Sequence, residues 1–402
     1  MSGADWEAAR RGAYEAGRSL AERLPPPAVH PLAEATGRVL AAPLDALHPL
    51  PHYASSAMDG WAVSGRGPWN LVAGAVGRHA EADELGHALS PGEAAPIVTG
   101  GALPRGATAV LRQEHGLRDC GGLLRADIDP PHGKDIRPAA TEAETGAILL
   151  GAGTRLSPGG VAVAALAGHD GVLLAPEVPV RLVYTGGEVT TSGIPRPGFV
   201  RDAFGPVLPA CVAGLGGHVS SVERIGDDFA ETVAAVDGPR AREASIVVTT
   251  GGTGGSALDH LRPAARHLGA EPLVDGVAVR PGHPALLARL PDGRLLLSLP
   301  GNPLAALAAV ATLLEPALRG AAGRPASSPL DAFSATEHPA LPGRHRIIPA
   351  KWATAGPPCT LEPARHTGSA MMRGLAEADA LLVVPPGGLT AGGPATYLPL
   401  PW

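Results

Sequence analysis

The sequence is poor in cysteine, with only Cys120, Cys211 and Cys359 in 402 residues. The three are far apart and form no C-x-x-C pair, so neither a disulfide framework nor a cysteine metal site has support. Unpaired thiols are typical of a reducing compartment. We therefore expect a cytoplasmic protein.

Long apolar runs are also absent. No stretch approaches the roughly 18 to 20 apolar residues that a membrane-spanning helix needs. The N-terminus carries acids and arginines where a secretory signal peptide needs an apolar segment. The sequence thus predicts a soluble, unexported protein without a membrane partner.

Positive charge is scarce as well. Lysine occurs only at Lys134 and Lys351, and the formal net charge is −6. Nucleic acids and anionic membranes bind broad basic surfaces, so this balance argues against both as partners. A small anionic ligand would need local arginines.

The length exceeds what one hydrophobic core usually supports, so several domains are expected. Residues 5–24 show the apolar spacing of an amphipathic helix, and a second helical piece is predicted from His30 to Leu40. The predicted divisions are a helical segment, 1–45, packed with 147–176; a small β-rich domain, 46–146; an α/β domain, 177–327; and a β-rich C-terminal domain, 328–402.

Residues 178–320 alternate strand and helix four or five times, which predicts a parallel or mixed sheet covered by helices on both sides. In open sheets of this kind, ligands bind at the carboxyl ends of the strands. The loops that leave those ends are therefore the candidate functional segments.

The loop in Ser245–Leu261 is the most informative. An apolar strand leads into glycines at 251, 252, 254 and 255, and the following helix start carries Asp259. Glycine lets backbone N–H groups approach an anion, and a helix N-terminus adds partial positive charge. This predicts a site for a phosphate-bearing ligand around Gly251 and Gly252, with a simple tight turn as the alternative.

Three further loops are expected at the same edge. They end in Glu188, in Gly226–Asp228 and in Pro300–Pro303. In the third loop, Asn302 is a suitable N-cap and Pro303 a suitable first helical residue, so the first N–H groups of the following helix are expected to be exposed at this edge. Glu188, Asp228 and Asp259 are expected to converge beside the phosphate. Oxygen ligands and phosphate favour Mg²⁺. For any one of these acids taken alone, a helix cap or a surface position is the favoured alternative, whereas the three together favour a shared site.

Polar residues outside this domain are weaker candidates. Asp59 lies in a D-G turn and Thr99 precedes two glycines, so a hairpin residue and a turn-capping hydroxyl are the alternatives. In the C-terminal region, positive charge or hydrogen bonds at a domain interface are expected from Arg344, Arg346, Arg365 and Ser369. Their alternative is solvated surface.

The chain as a whole resembles the molybdopterin molybdotransferase family, the bacterial MoeA type related to the E domain of gephyrin. Eight motifs carry the resemblance and occur in family order: SAMDGWAV, PIVTGGALPRGATAVLRQE, GKDIRPA, TGGEV, GDD, TTGGTGG followed by Asp259, RPGHP and LPGNP. A C-terminal GSAMMRGLAEADALLVVP segment adds to them.

The resemblance implies an elongated homodimer with a helical dimerisation segment, a small β domain, a molybdopterin-binding α/β domain and a C-terminal β-barrel. It implies that adenylylated molybdopterin is bound, that molybdate is inserted at the dithiolene, and that AMP is released with Mg²⁺. Contact with a molybdopterin adenylyltransferase or with recipient molybdoenzymes would follow.

The family's functional positions fall on named residues here. The resemblance implies catalytic roles for Asp59, Glu188, Asp228 and Asp259, the last three as metal ligands. It implies substrate contacts by Thr99, Glu142, Gly251, Gly252, Arg280, His283, Pro300, Pro303, Arg344 and Ser369.

The chain departs from the family pattern at ligand contacts. Arg280 and His283 replace both lysines of K-P-G-K-P, Gly187 replaces the acid of T-G-D-E, Glu142 stands where Asp is common, and Phe204 where Asn is common. Arginine is not equivalent to lysine, and histidine is mostly neutral near pH 7. A working transferase is the first hypothesis; a non-catalytic paralogue that hands pterin nucleotide or cofactor to a partner is the second, and an adenylyltransferase the third.

Overall fold

The computed structural model describes residues 3–72, 88–254, 259–354 and 358–401. The first helix, α1, spans Trp6–Ala21 and begins at Asp5, whose carboxylate accepts hydrogen bonds from the N–H groups of Glu7 and Ala8, both at 3.1 Å. Its apolar side is fully buried against the α/β unit. A Cβ at Gly17 would collide with the carbonyl of Ala317, so glycine is what allows this close approach.

The expected helix from His30 to Leu40 does not form. Strand β1 covers Ala28–Pro31, a single 3₁₀ turn covers Leu32–Glu34, and strand β2 covers Leu44–Asp45. The backbone of β1 pairs antiparallel with residues 171–174, and Gly37 at φ +82° interrupts the helical pattern. Tertiary pairing thus overrides the local spacing.

Residues 28–45 pack on 147–176 through a cluster that includes Leu40, Leu44, Leu156 and Leu174. Helix α1 instead joins the core of the α/β unit. The predicted packing of 1–45 on 147–176 therefore has to be corrected for α1, because its buried stripe faces another partner. The domain boundaries themselves stay predictions.

The next segment is built from short strands. They are β3 Ser55–Ser56, β4 Gly60–Val63, β5 Asn70–Leu71, β6 Glu93–Ile97, β7 Ala109–Arg112, β8 Gly116–Arg118, β9 Leu124–Ala126 and β10 Ile136–Arg137. Four of them form a sheet in the order β5-β6-β4-β7, β8 pairs with β9, and β10 pairs with β3. Apolar clusters cover both faces of the four-stranded sheet.

The chain then returns to the first segment. Strand β11, Ile148–Leu150, pairs with β2, and β12, Gly171–Leu174, pairs with β1. Helix α2, Pro158–Leu166, lies between them and begins at Ser157, whose hydroxyl accepts from the N–H of Gly160 at 3.1 Å.

The α/β unit contains nine strands and five α-helices in the described residues. The strands are β13 Val178–Thr185, β14 Val189–Thr190, β15 Val200–Arg201, β16 Gly217–Ile225, β17 Ile246–Thr250, β18 Glu271–Asp275, β19 Val279–Arg280, β20 Leu286–Arg289 and β21 Leu295–Leu299. The helices are α3 Leu208–Gly214, α4 Phe229–Asp237, α5 Leu261–His267, α6 Pro303–Ala309 and α7 Glu315–Ala321, with a π segment, Val310–Leu314, joining the last two.

Six of these strands form one sheet in the order β16-β13-β17-β21-β20-β18. The first four run parallel, and β20 and β18 are antiparallel to their neighbours. The carboxyl ends of the four parallel strands therefore meet at one edge. The loops after Thr185, Ile225, Thr250 and Leu299 lie side by side there.

Alternate residues of the central strands face opposite sides, as the two-residue period of a strand requires. Val248 and Leu297 pack against α1, α3 and the helical stretch Pro303–Ala321, whereas Val247 and Leu296 pack against α4 and α5. By length and composition, that stretch could cross a membrane, but 89% of an 18-residue apolar window within it is buried inside the protein. Its apolar residues serve the core.

The C-terminal strands close into a barrel. They are β22 Leu330–Ser334, β23 His345–Thr354, β24 Thr360–Pro363, β25 Ala380–Val384 and β26 Pro394–Pro399, with a short helix α8 at Arg373–Ala376. The ring order is β23-β24-β22-β26-β25, and β25 pairs back to β23. These sheets confirm the predicted α/β multidomain fold with a mixed central sheet, a small β domain and a C-terminal barrel.

Candidate functional site

The loops after β13, β17 and β21 are in contact at the sheet edge. The N–H of Gly251 donates to the carbonyl of Leu299 at 2.9 Å, and the Thr185 hydroxyl donates to the carbonyl of Thr250. Gly251 and Gly252 adopt φ +76° and +64°, which disfavour other residues. The glycines therefore shape a loop whose backbone lies directly over the strand ends.

The acids at this edge play different roles. Asp227 Oδ2 accepts from the N–H of Gly187 at 3.1 Å and so links the loops after β13 and β16. Asp228 Oδ1 accepts from the N–H of Glu231 at 2.8 Å and caps α4. The sequence pattern selected Asp228, but the residue that joins two of the loops is Asp227.

Glu188 and Asp259 lie beside glycines. A Cβ at Gly186 would be 2.7 Å from Glu188 Oε2, and a Cβ at Gly254 would be 2.8 Å from Asp259 Oδ2. Each carboxylate thus occupies the space that a side chain at Gly186 or Gly254 would need. This close approach is a local reason for glycine at both positions.

The predicted three-acid metal cage is not preformed. Across residues 3–72, 88–254, 259–354 and 358–401, no three Asp, Glu, His or Cys side chains are grouped to hold a metal ion. Glu188, Asp228 and Asp259 are thus not grouped as a metal site in these ranges, and Asp228 Oδ1 caps α4. A role of the three acids in the site stays a prediction. Single carboxylates combined with ligand phosphates are the donor set that this edge offers.

A cavity of about 690 Å³ opens beside the glycine loop, between α5 and the strands β18 and β20. We call it the glycine-loop cavity. Asp259 and His283 both line it, together with Arg262 and Arg266, which the sequence reasoning missed. His283 Nδ1 lies 2.7 Å from the carbonyl of Val277.

Arg262 joins three segments around this cavity. Its guanidinium donates to the carbonyls of Thr253 at 3.2 Å and Pro284 at 3.1 Å, and it forms an ion pair with Asp275. Burial and, second, the neighbouring Arg266 lower the pKa of Arg262. The glycine loop and the 280–284 loop are thereby held together. The only feature of the sequence that pointed to Arg262 is its position near the start of a helix that follows a glycine loop.

A second cavity, of about 400 Å³, lies between the 280–284 loop and the barrel. We call it the barrel-junction cavity. Arg280, Arg346 and Ser369 line it, and Arg280 is paired with Arg346 in the parallel ladder of β19 and β23. Arg346 donates through Nη2 to the carbonyl of Pro339, whereas its buried Nε has no hydrogen-bond partner in the described structure. Arg344 is exposed and is not part of this lining.

The start of α6 differs from the expectation. Pro303 is the first helical residue and Pro300 is buried, but the Asn302 side chain makes no capping bond. The N–H groups of Leu304 and Ala305 lie 3.1 and 3.3 Å from the carbonyl oxygen of Ser369. The barrel segment therefore already satisfies donors that were expected to be exposed.

The β-domain candidates form their own contact. Asp59 Oδ1 accepts from the backbone N–H of Thr99 at 2.6 Å and from its hydroxyl at 2.9 Å. Glu142 is exposed, and its N–H donates to the carbonyl of Leu50 at 2.8 Å. As far as the chain is described, Asp59, Thr99 and Glu142 line neither cavity.

Three family models match the chain in order. The MoeA N-terminal region (domain I and II) matches residues 11–168, the probable molybdopterin binding domain matches 181–320, and the MoeA C-terminal region (domain IV) matches 332–400. Together they leave few residues of the chain outside.

The relatives with similar sequences carry names of the same family. Molybdopterin molybdenumtransferase 2 of Mycobacterium tuberculosis is 32% identical over 317 residues, covering 74% of this chain and 76% of that protein. Molybdopterin molybdenumtransferase of Staphylococcus epidermidis is 27% identical over 373 residues, covering 90% and 88%.

Solved structures share the fold. The molybdopterin biosynthesis MoeA protein from Pyrococcus horikoshii OT3 superposes with a TM-score of 0.72 at 20% identity, covering 98% of this chain and 100% of that chain. Because three MoeA-type domains match in order and the relatives are molybdopterin molybdenumtransferases, the chain belongs to the molybdopterin molybdenumtransferase (MoeA) family.

Proposed function

We propose that the protein is a working transferase of molybdenum cofactor biosynthesis. It binds adenylylated molybdopterin, inserts molybdate at the dithiolene sulfurs and releases AMP. The observation that carries this proposal is the segment 280–284, whose Arg280 lines the barrel-junction cavity and whose His283 lines the glycine-loop cavity. An oxyanion and a nucleotide need two such adjacent sites.

The barrel-junction cavity suits the oxyanion. Arg280 and Arg346 are adjacent in the β19–β23 ladder, and the Ser369 side chain adds a hydroxyl donor to the same lining. Guanidinium groups bind tetrahedral oxyanions through paired, charge-assisted hydrogen bonds. A molybdate dianion would satisfy the Nε of Arg346 and relieve the repulsion between the two cations. In this role Arg346, and not Arg344, is the C-terminal arginine.

The glycine-loop cavity suits the phosphates of the pterin nucleotide. Thr253 and Gly254 of the glycine loop line it, and so do Arg262, which is paired with Asp275, and Arg266. Arg266 is the residue proposed to take the place of the family's second lysine. Cleavage of the phosphoanhydride adds water across a P–O–P bond and leaves AMP as one product. Glu188 and Asp259 are the carboxylates proposed to orient that water.

Magnesium enters this proposal with the substrate. Mg²⁺ is usually bound by one or two carboxylates, several waters and substrate phosphates. Glu188 and Asp259 are the proposed carboxylate ligands. When bound, the ion neutralises phosphate charge in the cleaved linkage. Asp228 is left to cap α4.

We further propose a cytoplasmic homodimer. Val29, Ile148 and Leu166 are 70%, 69% and 66% exposed, and all three belong to the unit formed by residues 28–45 and 147–176. These three side chains are the apolar surface that we propose the second copy covers. Asp59 and Thr99 would then act in the cleft of the partner subunit, which agrees with their absence from both cavities. Transient contact with a molybdopterin adenylyltransferase or a recipient molybdoenzyme remains part of the proposal.

The test is an assay of AMP release. Purified protein is incubated with adenylylated molybdopterin, molybdate and Mg²⁺, and the Arg280→Ala variant is compared with Arg289→Ala, a surface arginine outside both cavities. We expect release by the wild type and by Arg289→Ala, and a strong loss in Arg280→Ala.

Two other outcomes favour other functions. Tight binding of the pterin nucleotide without AMP release supports the carrier paralogue, which the replaced lysines and Gly187 favour. ATP consumption with free molybdopterin would instead identify an adenylyltransferase.

A further inference from the structure

A third cavity, of about 640 Å³, lies away from the proposed active site. It forms where α1, α7, the linker between α7 and β22, and the end of β26 meet. It shares no lining residue with the glycine-loop or barrel-junction cavity. We call it the arginine cavity.

The charge of this cavity is strongly unbalanced. Arg10, Arg155, Arg319 and Arg324 line it, and Glu315 is the one acid among the described lining residues. The lining thus carries an excess of three positive charges in a protein whose net charge is −6. Like charges in a partly buried space repel, so a counter-charge there is favourable.

Glu315 is already engaged. Its carboxylate lies 3.4 Å from Arg10 Nη2 and 3.7 Å from Arg319 Nη1, and it accepts from the Ser327 hydroxyl at 2.8 Å. Arg10 is buried and also donates to the carbonyl of Ala311 and to Ser327 Oγ at 2.8 Å. These bonds join α1 to α7 and leave no other acid among the described lining residues for the remaining cations.

Among the described residues, Arg324 and Arg155 form no ion pair, since Glu315 pairs with Arg10 and Arg319. No acceptor in the described part of the chain takes a hydrogen bond from the Arg324 guanidinium, although Tyr14 anchors the Arg324 carbonyl at 2.9 Å. Burial lowers the pKa of Arg324 and the nearby charge of Arg319 lowers it further, whereas Glu315 raises it and Arg155 lowers it. Arg155 donates only to neutral carbonyls, those of Gly37 at 2.9 Å and Ala213 at 3.3 Å.

We propose that the arginine cavity binds a phosphate-bearing small molecule. A phosphomonoester carries about two negative charges near neutral pH, and a diphosphate carries more, whereas a single carboxylate would leave most of the excess unmatched. The volume lies within the range of about 300 to 1,000 Å³ of small-molecule sites. Leu330 and Leu398 give the cavity an apolar wall for the organic part of the ligand.

The ligand would also join two parts of the protein. Arg319 and Arg324 belong to α7 and the linker that follows it, while Leu398 belongs to the last strand of the barrel. A ligand that binds only the assembled walls stabilises their association. Occupancy is therefore expected to hold the barrel against the α/β unit.

The test maps arginine accessibility at each residue. The full chain is labelled with phenylglyoxal with and without inorganic pyrophosphate at constant ionic strength, and modification is read by mass spectrometry. We expect pyrophosphate to protect Arg324 and Arg155 at least fivefold, and to leave the exposed Arg118 unchanged. Equal protection by matched sodium chloride, or no protection at these two arginines, would overturn the proposal.

Two variants separate this site from the active site. Arg324→Gln is expected to weaken pyrophosphate binding at the arginine cavity about tenfold, read as lost protection of Arg155. Arg280→Gln, in the barrel-junction cavity, is expected to leave that protection unchanged. Protection of Arg155 that follows Arg280 and ignores Arg324 would contradict a separate site, whatever the AMP-release assay shows.

Discussion

Arg280 and Arg346 stand opposite each other in the parallel pairing of β19 with β23, so the α/β unit and the barrel each contribute an arginine to the lining of one cavity. Side-by-side cations are unfavourable unless an anion lies between them. This pairing makes the barrel part of the proposed oxyanion site.

Substitution of either arginine should weaken molybdate binding. Arg346→Gln and Arg280→Gln each remove a charge-assisted contact worth about 1.5 to 3 kcal/mol, so the KM for molybdate should rise about 10-fold to 100-fold. The KM for the pterin nucleotide should change much less after Arg346→Gln. Arg344→Gln is the matched control, since Arg344 is exposed outside the cavity. An equal effect of Arg344→Gln would refute the assignment.

Substitutions of the neighbouring Asp227 and Asp228 should have different effects, one on activity and the other on stability. Asp228→Ala removes the N-cap of α4 and should lower the free energy of unfolding by about 1 kcal/mol. Asp227→Ala frees the Gly187 N–H and should loosen the loop that carries Glu188, which lowers kcat for AMP release with little change in Tm. Hydrogen exchange at residues 186–189 provides the direct readout. If Asp228→Ala has the larger effect on kcat, the roles are reversed.

The proposed dimer surface has its own test. Val29 is 70% exposed, so Val29→Asp should change the stability of one protomer by no more than about 0.5 kcal/mol. In an interface, the buried charge should drive dissociation, seen as a halved mass by light scattering. Ile128→Asp, at another highly exposed apolar residue on a different unit, is the control. A wild-type protein that is monomeric at all concentrations would rule out the dimer.

One ion pair predicts a dependence of stability on pH. The Arg112 guanidinium donates to both carboxylate oxygens of Asp135 at 2.8 and 3.0 Å, and these hydrogen bonds hold the pKa of Asp135 below its usual value. A lowered folded-state pKa adds stability above the ordinary aspartate pKa of about 4, and this stability is lost as pH falls through the folded value.

The Tm difference between wild type and Asp135→Asn should therefore be largest near neutral pH and shrink as the pH falls below about 4. Asp129→Asn is the control, since Asp129 faces the largely exposed Arg66 at 3.7 Å. A Tm difference that stays constant with pH would show that the pair contributes packing and no charge.

The sequence predicted the fold better than the geometry of the site. The alternation of strand, loop and helix in 178–320 and the glycines at 251 and 252 reflect local backbone requirements, which a single sequence records directly. The helix predicted from His30 to Leu40 does not form, and the strand Ala28–Pro31, which overlaps its start, could not be foreseen because its pairing partner lies at residues 171–174, far along the chain. Likewise, neither the contact of Ser369 with the start of α6 nor the pairing of Arg280 with Arg346 could be foreseen, since both depend on how the barrel docks.

The choice between neighbouring acids was likewise beyond the sequence. In Gly226–Asp228 both aspartates suit an N-cap and a ligand equally well by residue type. Only the start of α4 at Phe229 assigns the cap to Asp228 and leaves Asp227 to bridge to Gly187.

Molybdenum insertion by the protein itself tests the central claim most directly. The protein is incubated with adenylylated molybdopterin, molybdate and Mg²⁺, and the product is measured by its ability to activate a cofactor-free molybdoenzyme. We expect activation in proportion to the AMP released, with wild-type levels in Arg344→Gln and a loss of at least tenfold in Arg280→Gln. No activation by the wild-type protein, despite measurable binding of the pterin nucleotide, would contradict a transferase and indicate a carrier.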